Sequence, residues 1–274
     1  MSESPNARSL LLDLLRVVPG RTAVPVQGLV RVGELFGITG NATRVALSRL
    51  SEGGLVESDE RGQYRLSQAS DPVSAFVENW RLGEQRLRPW EGGWLCVHLP
   101  RPGPGRKART ASLRAMEFLS LREAEGGLWV RPDNLAGGAQ AAREALGKLG
   151  LEEGALVFAG RNFGEDVTAR WAGELWTDEP SREQRAHARK LEASTKRIPS
   201  LNKDKALVET FTLGGKAIEL LVRDALLPDE IRSGDARREL TDAMLAYDVV
   251  GRNIWSGIFS ALSLQGAPAQ VSGI

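Results

Sequence analysis

The sequence predicts an α+β chain of several domains: three helices and a hairpin at the N-terminus, a middle region of alternating strands and helices, and a mainly helical C-terminal region. Three observations carry that expectation. Helical periodicity is followed by a hairpin pattern within the first seventy residues; short apolar runs alternate with helical ones between 90 and 162; and beyond 163 the apolar residues recur at helical spacing. A length of 274 residues exceeds one small domain, and 42% hydrophobic with 26% charged residues supplies enough apolar material for real cores.

The first helix spans about Ala7 to Val18, with Leu11, Leu12, Leu14 and Leu15 on one face, Asp13 and Arg16 off it, and Pro19-Gly20 as its stop. The second runs from about Val26 to Phe36, offering Leu29, Val30, Val32 and Leu35 for burial, and Gly37 supplies the positive φ wanted just past a helix end. A third helix, about Asn41 to Glu52, has Thr39 or Asn41 to cap it. Ala42, Ala46, Leu47 and Leu50 fall on one face; Asn41, Arg44, Val45 and Ser48 fall on the other, with Arg49 at the margin. Gly53-Gly54 closes it, Leu55–Ser58 and Tyr64–Leu66 read as strands, and residues 59–63 read as the turn between them. Two helices about a glycine turn, then a hairpin wing, spell a winged helix-turn-helix over residues 1–70.

In such a unit the exposed face of the third helix meets base edges, where arginine pairs with guanine and asparagine with adenine. Asn41, Arg44 and Arg49 are therefore the candidate base readers, with Thr39 at the start of the helix. Thr43, Ser48, Arg61, Gln63 and Arg65 suit phosphate or groove-edge contacts. The competing reading is that these arginines are ordinary solvated charges. Asp59 and Glu60 would repel phosphate and keep the wing tip out of a deep groove.

A connecting helix is expected from Asp71 to Leu87, within a linker of residues 71–89. Strands at Gly93–Leu99, about Ser120–Glu123, Gly127–Arg131 and Ala155–Ala159, with helices at Lys107–Leu119 and Gly138–Leu149, give the βαββαβ order of a ferredoxin-like domain over 90–162. Residues 92 to 116 hold no acid but contain Arg101, Arg106, Lys107, Arg109 and Arg114, either a site for phosphates or a solvated loop. The C-terminal domain, 163–274, carries a basic helix from about Arg182, a helix over Leu207–Asp224, and a third over Ala236–Ser260. The stripe Leu240, Met244, Tyr247, Val250, Ile254 and Ile258 on that third helix reads as core or dimer seam. The tail after Leu264 is small, polar and expected to fray.

Several function classes find no support in the sequence. The single cysteine, Cys96, with His98 two residues on and His187 far off, is too few ligands for zinc. No run approaches the roughly 18 apolar residues of a membrane span, the polar start offers no signal peptide, and a cytoplasmic protein is expected. Gly103-Pro-Gly105 lacks the phosphate-loop pattern. The net charge of +1 confines any DNA surface to a local patch.

Asn41-Ala-Thr-Arg-Val-Ala-Leu-Ser-Arg-Leu-Ser-Glu-Gly-Gly-Leu-Val56 resembles the recognition helix of the PaaX-type repressors of phenylacetate breakdown, as does the opening stretch at 7–15. Trp90-Glu-Gly-Gly-Trp94, Gly127-Leu-Trp-Val-Arg-Pro-Asp-Asn-Leu135 and Asp224-Ala-Leu-Leu-Pro228 resemble later family segments, although the family often has proline where this chain has Ala225. The resemblance implies a homodimer on a palindromic double-stranded DNA operator, released by an acyl-coenzyme A effector such as phenylacetyl-coenzyme A. For that effector, Trp129, Arg131 and Trp176 are the candidate residues, from a wider set that includes Trp171 and Trp255. The middle domain of such regulators also resembles a CRISPR-associated nuclease family that places a metal-binding aspartate at the end of its first strand. Here that stretch is Cys96-Val-His-Leu-Pro100, without a carboxylate.

The expectation is thus an effector-responsive transcriptional regulator with no cofactor, no metal and no catalytic residues. A winged-helix interaction module without specific DNA binding is the alternative, and a metal-dependent nuclease the third.

Overall fold

The computed structural model describes residues 6–18, 22–68, 71–99, 105–176 and 180–264. The expected helix stop at Pro19-Gly20, Arg101 with the adjoining loop residues, and the tail past Leu264 lie outside the described residues. Among those described, the fold is α+β, with ten α-helices and two small antiparallel sheets. The chain gathers into two compact units, each assembled from separate stretches: Met1–Ala75, Leu191–Gly215 and Ala246–Ile274 in the first, Phe76–Lys190 and Lys216–Leu245 in the second.

The first unit begins with α1 (Ala7–Val17), capped by the Asn6 side chain, which accepts the Ser9 N–H at 2.9 Å. A two-residue strand, β1 (Val24–Pro25), precedes α2 (Val26–Leu35), and then come α3 (Gly40–Glu52), β2 (Val56–Ser58) and β3 (Gln63–Leu66). β3 is the middle strand, with Val56 opposite Leu66 on one side and Val24 opposite Tyr64 on the other. β1 was not expected, being two residues long beside a proline. Leu11, Leu15, Leu29, Leu47, Leu50, Val56 and Leu66 close one core. Leu10, Leu14, Val32 and Phe36 close a second against Leu207 and Trp255, with Phe36 edge-on to Phe211 at 5.3 Å. α1 is therefore buried on two faces, whereas α3 gives Ala46, Leu47 and Leu50 to the first of these cores and nothing to the second.

Leu207 and Trp255 belong to the long C-terminal helices α9 (Lys203–Val222) and α10 (Asp235–Leu264); α7 (Glu165–Glu174) and α8 (Pro180–Arg197) precede them. α8, α9 and α10 each give residues to both units, so 163–274 does not form the separate domain expected. The apolar stripe of α10 is core at Leu240, Met244 and Tyr247.

The second unit contains β4 (Trp94–His98), α5 (Arg106–Phe118), β5 (Arg122–Glu125), β6 (Leu128–Pro132), α6 (Gly138–Lys148) and β7 (Leu156–Gly160). These follow the βαββαβ order, and the antiparallel sheet runs β5-β6-β4-β7. Strand alternation sorts its two faces. Leu95 and Val97 pack with Ala115, Met116 and Leu146, whereas Trp94, Cys96 and Val130 pack with Trp171, Trp176 and Leu227. The single connecting helix expected over 71–87 is α4 (Asp71–Glu78) followed by a 3₁₀ stretch, Asn79–Arg86, which is itself broken where Gly83 adopts φ +49°. β5 starts later than expected because Ser120 turns at φ +54° first.

Candidate nucleic-acid interface

The turn between α2 and α3 is fixed by backbone. Phe36 and Ile38 both donate to Gly33 O at 3.0 Å, and Gly37 takes φ +75°, where a side chain is disfavoured. Thr39 caps α3, its hydroxyl accepting the Ala42 N–H at 3.2 Å. The two helices then meet closely. A Cβ on Gly33 would stand 2.7 Å from Thr43 Oγ1, so the crossing depends on that glycine. Thr43 is 1% exposed and its hydroxyl donates to Thr39 O at 3.2 Å. It is a packing residue and leaves the set of phosphate ligands. Thr43 occupies the buried position that the sequence reading gave to Ala42, which is exposed.

The outward face of α3 carries Asn41, Ala42, Arg44, Val45, Ser48 and Arg49, all exposed. Among the described residues no ion pair or side-chain hydrogen bond engages Arg44 or Arg49. Ser48 donates to Glu52 Oε1 at 3.0 Å, one turn on, so its hydroxyl keeps only acceptor capacity and a carboxylate shares its end of the face. Glu52 was missed as a member of this face, although the i, i+4 spacing from Ser48 signals it. Val45, 42% exposed in the middle of the face, offers the apolar surface that a thymine methyl would meet.

The hairpin turn employs one of the two wing acids expected to repel phosphate, while Glu60 stays exposed. Asp59 Oδ1 accepts the N–H groups of Arg61 and Gln63, each at 2.9 Å, while Gly62 turns at φ +70° and donates to Asp59 O. The Asp59 carboxylate is thus used in building the turn. Arg65 sits opposite Glu57 across the strands and donates to its Oε2 through Nε and Nη2, at 3.2 and 3.0 Å. That leaves Arg61 as the wing cation with no ion pair among the described residues, and Gln63 half-buried beside it.

The second helix of a helix-turn-helix thus presents arginines that are unpaired among the described residues, and a hairpin follows it. Residues 6–70 match the family model described as PaaX-like protein. The PaaX-like segment therefore covers α1 to β3, the whole of the surface just described. No curated protein matches the chain. The solved structure of the uncharacterized protein Rv0674 from Mycobacterium tuberculosis is similar in fold, with a TM-score of 0.56, 21% identity, and coverage of 92% of this chain and 98% of that one.

Outside the PaaX-like segment, the three residues expected to hold an effector do not form one pocket. Trp129 packs with the Leu95 face of the sheet and Trp176 with the Trp94 face. Trp176 is 4% exposed, stacks on Trp94 at 6.1 Å, and donates its indole N–H to Ser120 O. Arg131 is 2% exposed and donates to the carbonyls of Leu119, Pro132 and Ala225 and to Asn134 Oδ1. Burial pulls its pKa down to about 10. Asn134 in turn donates to Leu226 O at 2.8 Å. Arg131 is thus a brace joining β6 to the 224–228 segment, two of the stretches singled out in the sequence, with four of its five N–H donors engaged.

The basic stretch near α5 is also divided. Arg109 pairs with the buried Glu152 at 3.1 Å, while Arg106, Lys107 and Arg114 stay exposed. Cys96 is fully buried, which pushes its thiol up to about 11, and His98 is exposed, so the two do not make a ligand pair. Among the described residues no helix is long and apolar enough to cross a membrane.

Proposed function

We propose that this chain is a DNA-binding transcription regulator of PaaX type, whose winged helix-turn-helix over residues 1–70 docks α3 in a major groove. The observation that carries the reading is the open face of α3: Asn41, Arg44 and Arg49 are exposed, the arginines have no partner among the described residues, and Val45 lies between them. Asn41 and the arginines meet base edges; Thr39, Arg61 and Gln63 meet backbone or groove edge, and Ser48, its proton held by Glu52, accepts from a groove-edge donor. Two copies bind a palindromic operator, so half-sites lie about one helical turn, roughly 34–36 Å, apart or a multiple of it. The middle region is read as a ferredoxin-like domain serving a structural role, the protein as cytoplasmic, and the chain as a repressor without enzymatic activity, released by an aryl- or acyl-coenzyme A thioester.

The test is a gel shift of the purified protein on its own upstream DNA, with and without phenylacetyl-coenzyme A. A discrete shift abolished by the thioester supports the regulator and its effector. A shift indifferent to the thioester keeps the regulator and discards that effector. Absence of any shift at moderate salt favours an interaction module, a reading supported by the exposed Val45 and by the pairing of Arg65 with Glu57.

A further inference from the structure

The basic helix noted in the sequence builds a second charged feature, within the second unit. Arg182, Arg185 and Arg189 recur at i, i+3 and i+7 on α8, so they share one face. The segment before α10 brings Arg232 and Ser233 to the same place. With Ser181, these six residues line an open cleft of about 370 Å³. Arg182, Arg185 and Arg189, gathered on one face of α8, repel one another, which costs stability unless something anionic is held there. Among the described residues no acid hydrogen-bonds Arg182, Arg185 or Arg189. Glu239 Oε2 lies 3.8 Å from Arg185 Nε, beyond hydrogen-bond reach, and Asp235 is engaged by Arg238 and by the Ser233 hydroxyl. Arg182 and Arg189 are exposed, with no ion pair among the described residues.

The floor supplies a fixed frame. A second, smaller pocket shares Ser181, Arg232 and Ser233 with it and is also lined by Gln184, Asp224, Leu227 and Arg237. Arg237 is 4% exposed and is held by Glu84 at 2.8 Å and Asp224 at 3.1 Å, and Gln184 donates to Asp224. The rim arginines thus stand on a braced base, while α8 contributes first-turn N–H groups that lack helical acceptors.

We propose that this cleft binds a small molecule carrying two or more phosphate groups. Guanidinium forks match phosphate oxygens in pairs, and four of them around a volume of this size suit a compact polyanion. An extended nucleic-acid backbone fits less well, because the basic row on α8 meets Glu192 one turn after Arg189. Binding at this site stands independently of the regulator reading; a role as the phosphate end of the proposed effector site rests on that reading.

The test is titration calorimetry of the full chain with inorganic triphosphate at fixed ionic strength, on the native protein, on an Arg182→Ala/Arg189→Ala double variant, and on Arg114→Ala as a charge-loss control. Both deleted arginines are exposed, and circular dichroism checks the fold of each variant. Saturable binding of one triphosphate per chain is expected, weakened by about tenfold or more in the double variant and unchanged in the control. Absence of saturable binding, or equal weakening by Arg114→Ala, would overturn the proposal. So would a double variant that binds triphosphate normally while losing affinity for random-sequence duplex DNA, which would make the cleft a nucleic-acid surface. Triphosphate binding alongside a DNA complex that ignores the thioester would leave the site standing and remove only its regulatory role.

Discussion

Arg44 on α3 and Arg131 on β6 are the same residue in opposite circumstances. Arg44 is exposed and, among the described residues, bonded to nothing; Arg131 is 2% exposed and donates to three carbonyls and an amide oxygen. A buried guanidinium with four of its five donors taken by protein holds the fold, and one left in water is available to a partner. The sequence pointed to both as ligand-binding residues, Arg44 by its place on the third helix and Arg131 through the family resemblance, and burial separates them.

That contrast is broken most directly by mutation. Arg131→Ala removes the donors from four buried acceptors and leaves a cavity between β6 and the 224–228 segment, so a loss of about 3–5 kcal/mol in stability is expected by urea denaturation. A loss under about 1 kcal/mol would return Arg131 to the candidate ligand residues. Gly33→Ala is expected to cost about 1–3 kcal/mol, because the new methyl must push Thr43 away and re-angle α3. It should lower operator affinity as well as stability. Arg44→Ala should separate the two effects: stability unchanged to within about 0.5 kcal/mol, and specific operator binding weaker by about 1–3 kcal/mol. Unaltered operator binding would contradict the assignment of α3 as the reading helix.

The N-terminal elements were legible because each has a local cause. Helical spacing, the Thr39 cap, the φ of Gly37 and the hairpin turn are all written in neighbouring residues. The strand order of the second unit was legible from alternating strand and helix patterns. What was hidden came from distant partners. Nothing near Leu10 or Leu14 shows that their face packs on Leu207 and Trp255, nearly two hundred residues away or more. The basic stripe of α8 was visible, but its meeting with Arg232 was not. Thr43 and Ala42 exchanged places because a one-residue phase error moves a side chain by about 100° around a helix.

Cys96 gives a smaller and pH-dependent test in the second unit. Burial raises its thiol pKa from an ordinary 9.0 to about 11. Between those values the unfolded chain releases the proton while the folded chain keeps it, so the unfolded state binds fewer protons and stability falls as pH rises. The contribution is intact below pH 9.0 and lost as pH climbs to about 11. Its size is at most about 3 kcal/mol. Cys96→Ala should flatten the stability profile over that window, and at pH 8 the native thiol should react with a maleimide only as the unit opens. Rapid labelling of the folded protein would show the thiol to be accessible.

The finest version of the comparison lies within the wing itself, between Arg61 and Arg65. Both were expected to meet phosphate, but Arg65 is already paired with Glu57 across the hairpin and Arg61 is not paired among the described residues. An exposed pair of this kind contributes little to stability, roughly 0–1 kcal/mol, yet it cancels the charge that a phosphate would see. Releasing a counterion requires a net cation at the phosphate, so Arg61→Ala should reduce the slope of log K against log salt by about 1 per protomer. Arg65→Ala should change it by much less, because the remaining Glu57 then adds a repulsion that acts on affinity at every salt concentration. The double variant Arg65→Ala/Glu57→Ala removes that repulsion and should bind DNA as the parent does. Equal slopes for the two arginine variants would mean that DNA separates the Arg65–Glu57 pair on binding and that the wing rearranges to meet the backbone.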